Sequence, residues 1–98
     1  MLSLKTIRED LKEIRYYYTR KEIFDEAFKE VGVNTVQEKA KRYNEAMRSA
    51  SPQMYDIYFN LYVKSYTQEA LADILSYTPE YIRIWNKRLL LFLQEKMK

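Results

Sequence analysis

One glycine and two prolines in 98 residues constrain this chain more than any other feature. Tight reversals need residues that tolerate positive φ or hold φ fixed. With almost none available, the chain reads as long helices, and the pattern argues against a β-sandwich with its many short strands. Hydrophobic residues make up 47% of the chain and aromatics 15%. That is enough apolar surface to fold as one domain around one modest core.

The pattern is helical from the start. Leu4, Ile7, Leu11, Ile14 and Tyr18 are spaced three, four, three, four, a stripe along one helix face. Charges fill the gaps, with Arg8 and Lys12 on one side and Glu9, Asp10 and Glu13 around it. Thr6 with Glu9 has the spacing of a capping box. Phe24, Ala27, Phe28 and Val31 then form a second apolar set out of step with the first. Thr19 with Glu22 repeats the capping-box spacing, so a break near Thr19 is expected. The stripe packs on the rest of the domain or forms a dimer seam, but it is too short to define a coiled coil.

Gly32 is placed to end that element as the residue just past a helix. Asn34 or Thr35 caps the next one. Val36, Ala40, Tyr43, Met47 and Ala50 hold its apolar stripe, with Lys39, Lys41, Arg42 and Arg48 off it. Those cations suit a solvated face or contacts to phosphates. Ser51-Pro52 begins a further helix, because a capping hydroxyl followed by a residue without an amide hydrogen fits a helix start. It runs to about Lys64. Met54, Ile57 and Leu61 share one face, while Tyr55, Tyr58, Phe59 and Tyr62 spread around the rest. A helix apolar on nearly all sides belongs in the centre.

The stretch Thr67 to Trp85, TQEALADILSYTPEYIRIW, reads as a short helix, a turn and a second helix. Thr67 and Thr78 are candidate caps, and Pro79 stands at the first position of the second helix. Ala70, Leu71, Ile74 and Leu75 give the first helix an apolar face. Ala72 is the small residue that lets two helices cross closely. Ile82, Trp85, Leu89 and Phe92 share a buried face on the second helix. Glu80, Arg83, Ile84, Lys87 and Leu91 occupy the opposite side. Leu90, Leu91 and Met97 fall elsewhere on the wheel, so the second helix has a further partner: the N-terminal helices or a second subunit.

The run from Leu61, LYVKSYTQEALADILSYTPEYIRIWNKRLLLFL, resembles the fourth region of sigma factors. It is closer to the ArpU/RinA-type late transcription regulators of phages of Gram-positive bacteria. Thr67, Leu71-Ala72, Thr78, Ile82-Arg83 and Leu89 to Leu93 carry the likeness, over about the last forty residues. Ser76 departs from it, standing where the turn usually has Gly. The resemblance implies an all-α domain of five to six helices, with residues 1–50 as a helical platform and 51–98 as a sigma-region-four-like helix-turn-helix. It implies a sequence-specific regulator that binds double-stranded DNA, with a homodimer and RNA polymerase as further partners.

In that arrangement Thr78, Glu80, Tyr81, Arg83, Ile84 and Lys87 face the major groove. Arg83 suits a guanine edge, where its planar fork donates twice, and Ile84 suits a thymine methyl. Lys87 and Arg88 suit phosphates, as do Thr78 and the amides at the helix start. Ala72, Leu75, Ile82 and Trp85 hold the two helices in register.

Charge agrees with this reading. The net charge is +3, mildly basic. From Tyr81 onward there are five Lys or Arg and one Glu, whereas Ser51 to Glu80 holds one Lys and four Asp or Glu. Enzyme chemistry has little to work with. There is no Cys or His, which removes thiol and imidazole catalysis and the usual zinc sites. Neighbouring carboxylates such as Glu9-Asp10 and Asp25-Glu26 diverge on a helix. No cofactor or metal is expected. Charges follow Leu2-Ser3-Leu4 at once, unlike a signal peptide, and the longest apolar run is Leu89 to Leu93. A cytoplasmic protein is expected.

Three rival readings remain. A helical protein-interaction module would bind RNA polymerase or another phage protein through Leu89 to Met97, without touching DNA. A recognition subunit of a phage packaging machine would carry its helix-turn-helix at the other end of the chain. A single-strand binder would stack bases on Tyr16-Tyr17-Tyr18 beside Arg15 and Arg20, but three consecutive helical residues point three ways.

Overall fold

The computed structural model describes residues 2–21, 26 and 35–97. Among them the fold consists of α1 (Leu4–Thr19), α2 (Thr35–Ala46) with a 3-10 turn at Met47–Ser49, α3 (Pro52–Tyr58) running on into a π-helical turn at Phe59–Val63, α4 (Gln68–Leu75) and α5 (Pro79–Lys96). No strand occurs among these residues, so the all-α expectation holds. The apolar set Phe24, Ala27, Phe28 and Val31, the Gly32 stop, Asn34 and the Glu22 half of a capping box lie outside the described residues.

The helix starts follow from local chemistry. Ser3 caps α1, accepting from the Thr6 amide at 3.1 Å. The cap is therefore three residues earlier than Thr6, and the Thr6–Glu9 spacing falls inside the helix. Ser51 caps α3 by accepting from the Met54 amide at 3.3 Å, with Pro52 in the first turn. Thr67 caps α4 through the Ala70 amide at 3.0 Å. Thr78 caps α5 through the Tyr81 amide at 3.2 Å, again followed by proline. Each hydroxyl satisfies one of the amides that a helix start leaves without a partner.

The core draws on every helix. Ile7, Leu11 and Ile14 from α1 meet Ala40 and Tyr43 from α2, and Met47 from the turn after it. Ile57, Tyr58 and Leu61 come from the central segment, Leu71 and Ala72 from α4, and Ile82, Leu89, Leu90 and Leu93 from α5. On α1 the fourth buried position is Tyr17, with Tyr18 half-buried. At about 100° per residue Tyr18 continues the stripe and Tyr17 lies roughly 80° round from Ile7, so the buried side of α1 is wider at this end than the stripe alone. Val36, Ala50 and Met54 pack around the edge.

Segment Pro52–Val63 is central, as its all-round apolar pattern predicts. Its α-helical part packs on α5, and its π turn packs on α1 and α4. The loop that follows is stapled to α1. Ser65 takes φ 62°. Its carbonyl accepts from the Arg15 guanidinium at 2.9 Å, and its hydroxyl lies 2.9 Å from the Thr19 hydroxyl. This junction fixes the start of α4 against the far end of α1.

On its other flank α1 is held by charge. Lys39 of α2 bridges Asp10 at 3.0 Å and Glu13 at 2.7 Å. The Tyr43 hydroxyl donates to the second Asp10 oxygen at 2.6 Å. Lys39 is therefore tied into the fold, while Lys41 and Arg42 are exposed and Arg48 pairs with Glu45 at 3.1 Å on the surface.

Candidate functional site

The site is the α4–turn–α5 unit. α4 ends where Ser76 adopts φ 59°, ψ 35°, the left-handed conformation that commonly closes a helix. The Tyr77 amide reaches back to the Ala72 carbonyl at 2.8 Å, and the Ser76 amide to Asp73 at 3.2 Å. These two bonds make a Schellman motif. Tyr77 and Thr78 then carry the chain into α5, so the reversal takes three residues. Ala72 is buried where α4 meets α5, the close approach its small side chain permits. Ile82 is buried behind it.

α5 has one open face. Glu80, Arg83, Ile84, Lys87 and Leu91 are all exposed along it, and Thr78 is exposed at its start. Arg83 pairs with Glu80 one turn back. Lys87 has no ion pair among the described residues. Ile84 and Leu91 are 45% and 46% exposed, apolar surface within a charged face. Arg88 lies on the shoulder of the helix, its guanidinium 5.0 Å from the centre of the Trp85 ring, within cation–π range.

Tyr81 departs from its expected outward position. It is half-buried, its hydroxyl accepts from the Gln53 amide of α3 at 2.8 Å, and its ring lies 4.4 Å from Tyr77 and 6.4 Å from Trp85. The wheel explains this. Tyr81 stands about 100° from Glu80, on the side turned to α3. Tyr81 thus ties α5 to α3.

The expected register set also needs correction. Ala72 and Ile82 are buried and Trp85 is partly buried, but Leu75 is 37% exposed. On α4, Ile74 is 57% exposed, and only Leu71 and Ala72 are fully buried. α4 spans eight residues, and the left-handed close turns its last apolar residues out of the core.

The second partner of α5 is α1. Leu90 is buried, not part of an outer surface. Gln94 donates to the Leu2 carbonyl at 3.0 Å, and Arg8 lines a cleft of about 420 Å³ with Arg83, Ile84, Asn86, Lys87 and Leu90. α1 therefore runs antiparallel along this flank of α5 and covers Leu90. Asn86 is fixed from the other side, accepting from the Tyr62 hydroxyl at 2.5 Å. Burial holds the Tyr62 hydroxyl well above its ordinary pKa, pushed up to about 12.

No group of acidic, His or Cys side chains among the described residues is placed to hold a metal ion. None of their helices is long and apolar enough to cross a membrane. The Tyr16–Tyr18 run diverges. Tyr17 is buried, Tyr18 accepts from the Asn44 amide at 2.8 Å, and Tyr16 is exposed under Arg20. Comparison with protein-family models, with curated proteins and with solved structures finds no match for this chain.

Proposed function

We propose that the protein is a helix-turn-helix DNA-binding protein whose α5 enters the major groove of double-stranded DNA. Within that class we place it among transcriptional regulators of the kind carried by phages or mobile elements of Gram-positive bacteria. One observation carries the reading. α5 is capped, crossed by α4 and packed against α1 and α3, yet leaves a continuous open face bearing Arg83, Ile84 and Lys87. A helix rigidly presented by one face fits groove readout. In this role Arg83 reads a guanine edge and Ile84 a thymine methyl. Lys87, Arg88 and the amides behind Thr78 meet phosphates. Glu80 reads a cytosine amino group or restrains Arg83. A homodimer would set two such helices in successive groove turns.

The test is selection from a random duplex library at two salt concentrations, followed by sequencing. An enriched motif that Arg83→Ala abolishes supports the reading, and a palindromic motif adds the dimer. Binding that vanishes with salt and enriches nothing reduces the role to electrostatic attachment. Absence of binding at both salts removes the reading.

The exposure of Ile84 and Leu91 favours a second reading, a docking face for a protein such as RNA polymerase. Leu90 is buried and cannot serve as its probe. Leu91→Gln should break protein docking and spare DNA binding, whereas neutralising Arg83 and Lys87 should do the reverse.

A further inference from the structure

We infer that α1 supplies a second, sequence-independent contact to the same DNA: Lys5, Arg8 and Lys12 form a phosphate-binding rail beside the open face of α5. This rests on the DNA-binding reading above and deepens it.

The charges of α1 are partly sorted by side, with Glu9 exposed about 40° round the wheel from Lys5. Asp10 and Glu13 are used inward and sideways, against Tyr43 and Lys39 of α2. Lys5, Arg8 and Lys12 stand at spacings of three and four on the opposite flank. At about 100° per residue they fall within roughly 60° of arc. All three are exposed, and none has an ion pair among the described residues. Arg15 continues the row but is committed to the Ser65 carbonyl.

Arg8 is the member of the row that meets α5. Arg8 shares its cleft with Arg83 and Lys87, so cations from two antiparallel helices line one depression. Glu80, beside this cleft, is held by Arg83. Arg8 and Lys87 have no ion pair among the described residues, and the arrangement suits a polyanion that runs past both helices. The rail covers about 10 Å at 1.5 Å per residue. One DNA strand presents a phosphate roughly every 3.4 Å of axis, so a single strand can meet all three residues. α1 reads no bases in this role. It sets how the duplex lies across α5.

The test compares two variants with equal charge loss. One is Lys5→Gln/Arg8→Gln/Lys12→Gln; the other is Lys41→Gln/Arg42→Gln/Arg48→Gln, exposed positions on α2 and its following turn that do not line the cleft with α5. Affinity for a duplex is measured across a salt series for each and for the unaltered protein. The rail predicts that the first variant loses between two and three units of slope in log K against log salt, at about 0.9 per phosphate. Its order of preference among duplex sequences stays the same. The second variant keeps the original slope. Circular dichroism checks that both remain folded, as expected for exposed positions. Unaltered protein that binds no duplex removes the DNA reading and this one together. Unaltered protein that binds, with a first variant of unchanged slope, overturns the rail alone. Equal slope losses in both variants also overturn it, since net charge would then be the cause.

Discussion

On the open face of α5, Arg83 is held by Glu80 one turn back. The side chain proposed to read a base is thus already engaged within the protein. Both side chains are largely exposed, so the pair contributes only a few tenths of a kcal/mol to stability. In the proposed DNA-binding role Arg83 leaves Glu80 to donate to a base, and Glu80 repels phosphates that come close.

Glu80→Gln should therefore tighten binding to every duplex at low salt and narrow the gap between preferred and shuffled sequences. Thermal stability should fall by no more than about 1 kcal/mol, since a first-turn carboxylate also complements the helix dipole. Anisotropy titrations with the two duplexes measure the first effect, and a melting curve the second.

Two serines adopt positive φ, at Ser65 and Ser76, and they should respond differently to glycine. The left-handed conformation costs a residue with a Cβ about 1 kcal/mol or more. Ser76→Gly should recover most of this and raise Tm by several degrees in a domain of this size. Ser65→Gly should gain less, because it gives up the hydroxyl contact to Thr19 at 2.9 Å. Melting curves for both variants decide the matter. Equal gains would show that the Thr19 contact contributes nothing.

Asp10 serves Tyr43 and Lys39 together. Asp10→Ala leaves the buried Tyr43 hydroxyl without its acceptor, a loss of about 1–3 kcal/mol. Glu13 still pairs with Lys39, so Glu13→Ala should cost much less. Urea unfolding of the two variants gives the comparison.

Stability should fall at high pH. Burial raises the pKa of Tyr43, Tyr58 and Tyr62, and the hydrogen bond from Lys39 to Glu13 raises that of Lys39. A group whose pKa is higher folded than unfolded contributes fully below its unfolded value and loses that contribution as pH rises through the folded one. The loss should begin near pH 10, the ordinary tyrosine value. Denaturant midpoints from pH 8 upward should stay level and then drop. Phenolate absorbance should show these tyrosines ionising only as the protein unfolds. Full ionisation of all ten tyrosines in folded protein would contradict this.

Much of the architecture was legible in the sequence because caps and stripes are local. Ser51-Pro52, Thr67 and Thr78-Pro79 announced their helices. The stripe through Ala40, Tyr43 and Met47 announced its buried side. The open face of α5 followed from the wheel positions of Arg83, Ile84 and Lys87. What escaped depended on neighbours distant in sequence. Leu90 called for a second partner, the N-terminal helices or a second subunit, and only the fold shows that α1 supplies it. Tyr81 looked outward until Gln53 claimed its hydroxyl. Ile74 and Leu75 matched an apolar pattern, but α4 closes too soon to bury them. Ser3 was overlooked because Thr6 offered a fuller capping box. Arg8 and Lys12 are legible as a pair on one side of α1; only the packing of α1 on α5 brings Arg8 beside Arg83 and Lys87.

The π-helical turn at Phe59–Val63 has a consequence for how this chain tolerates change. Its bond from the Lys64 amide to the Phe59 carbonyl encloses one residue more than an α-helical turn. Losing a single residue there would restore ordinary winding and swing the downstream side chains by about 100°. Tyr62 would leave Asn86 and Ser65 would leave Arg15 in the same step. The turn thus acts as a phase setting for the C-terminal third of the molecule. A one-residue deletion in this short span, harmless in many surface loops, would re-aim α5, whereas a replacement that keeps the length of the span would leave that bearing intact.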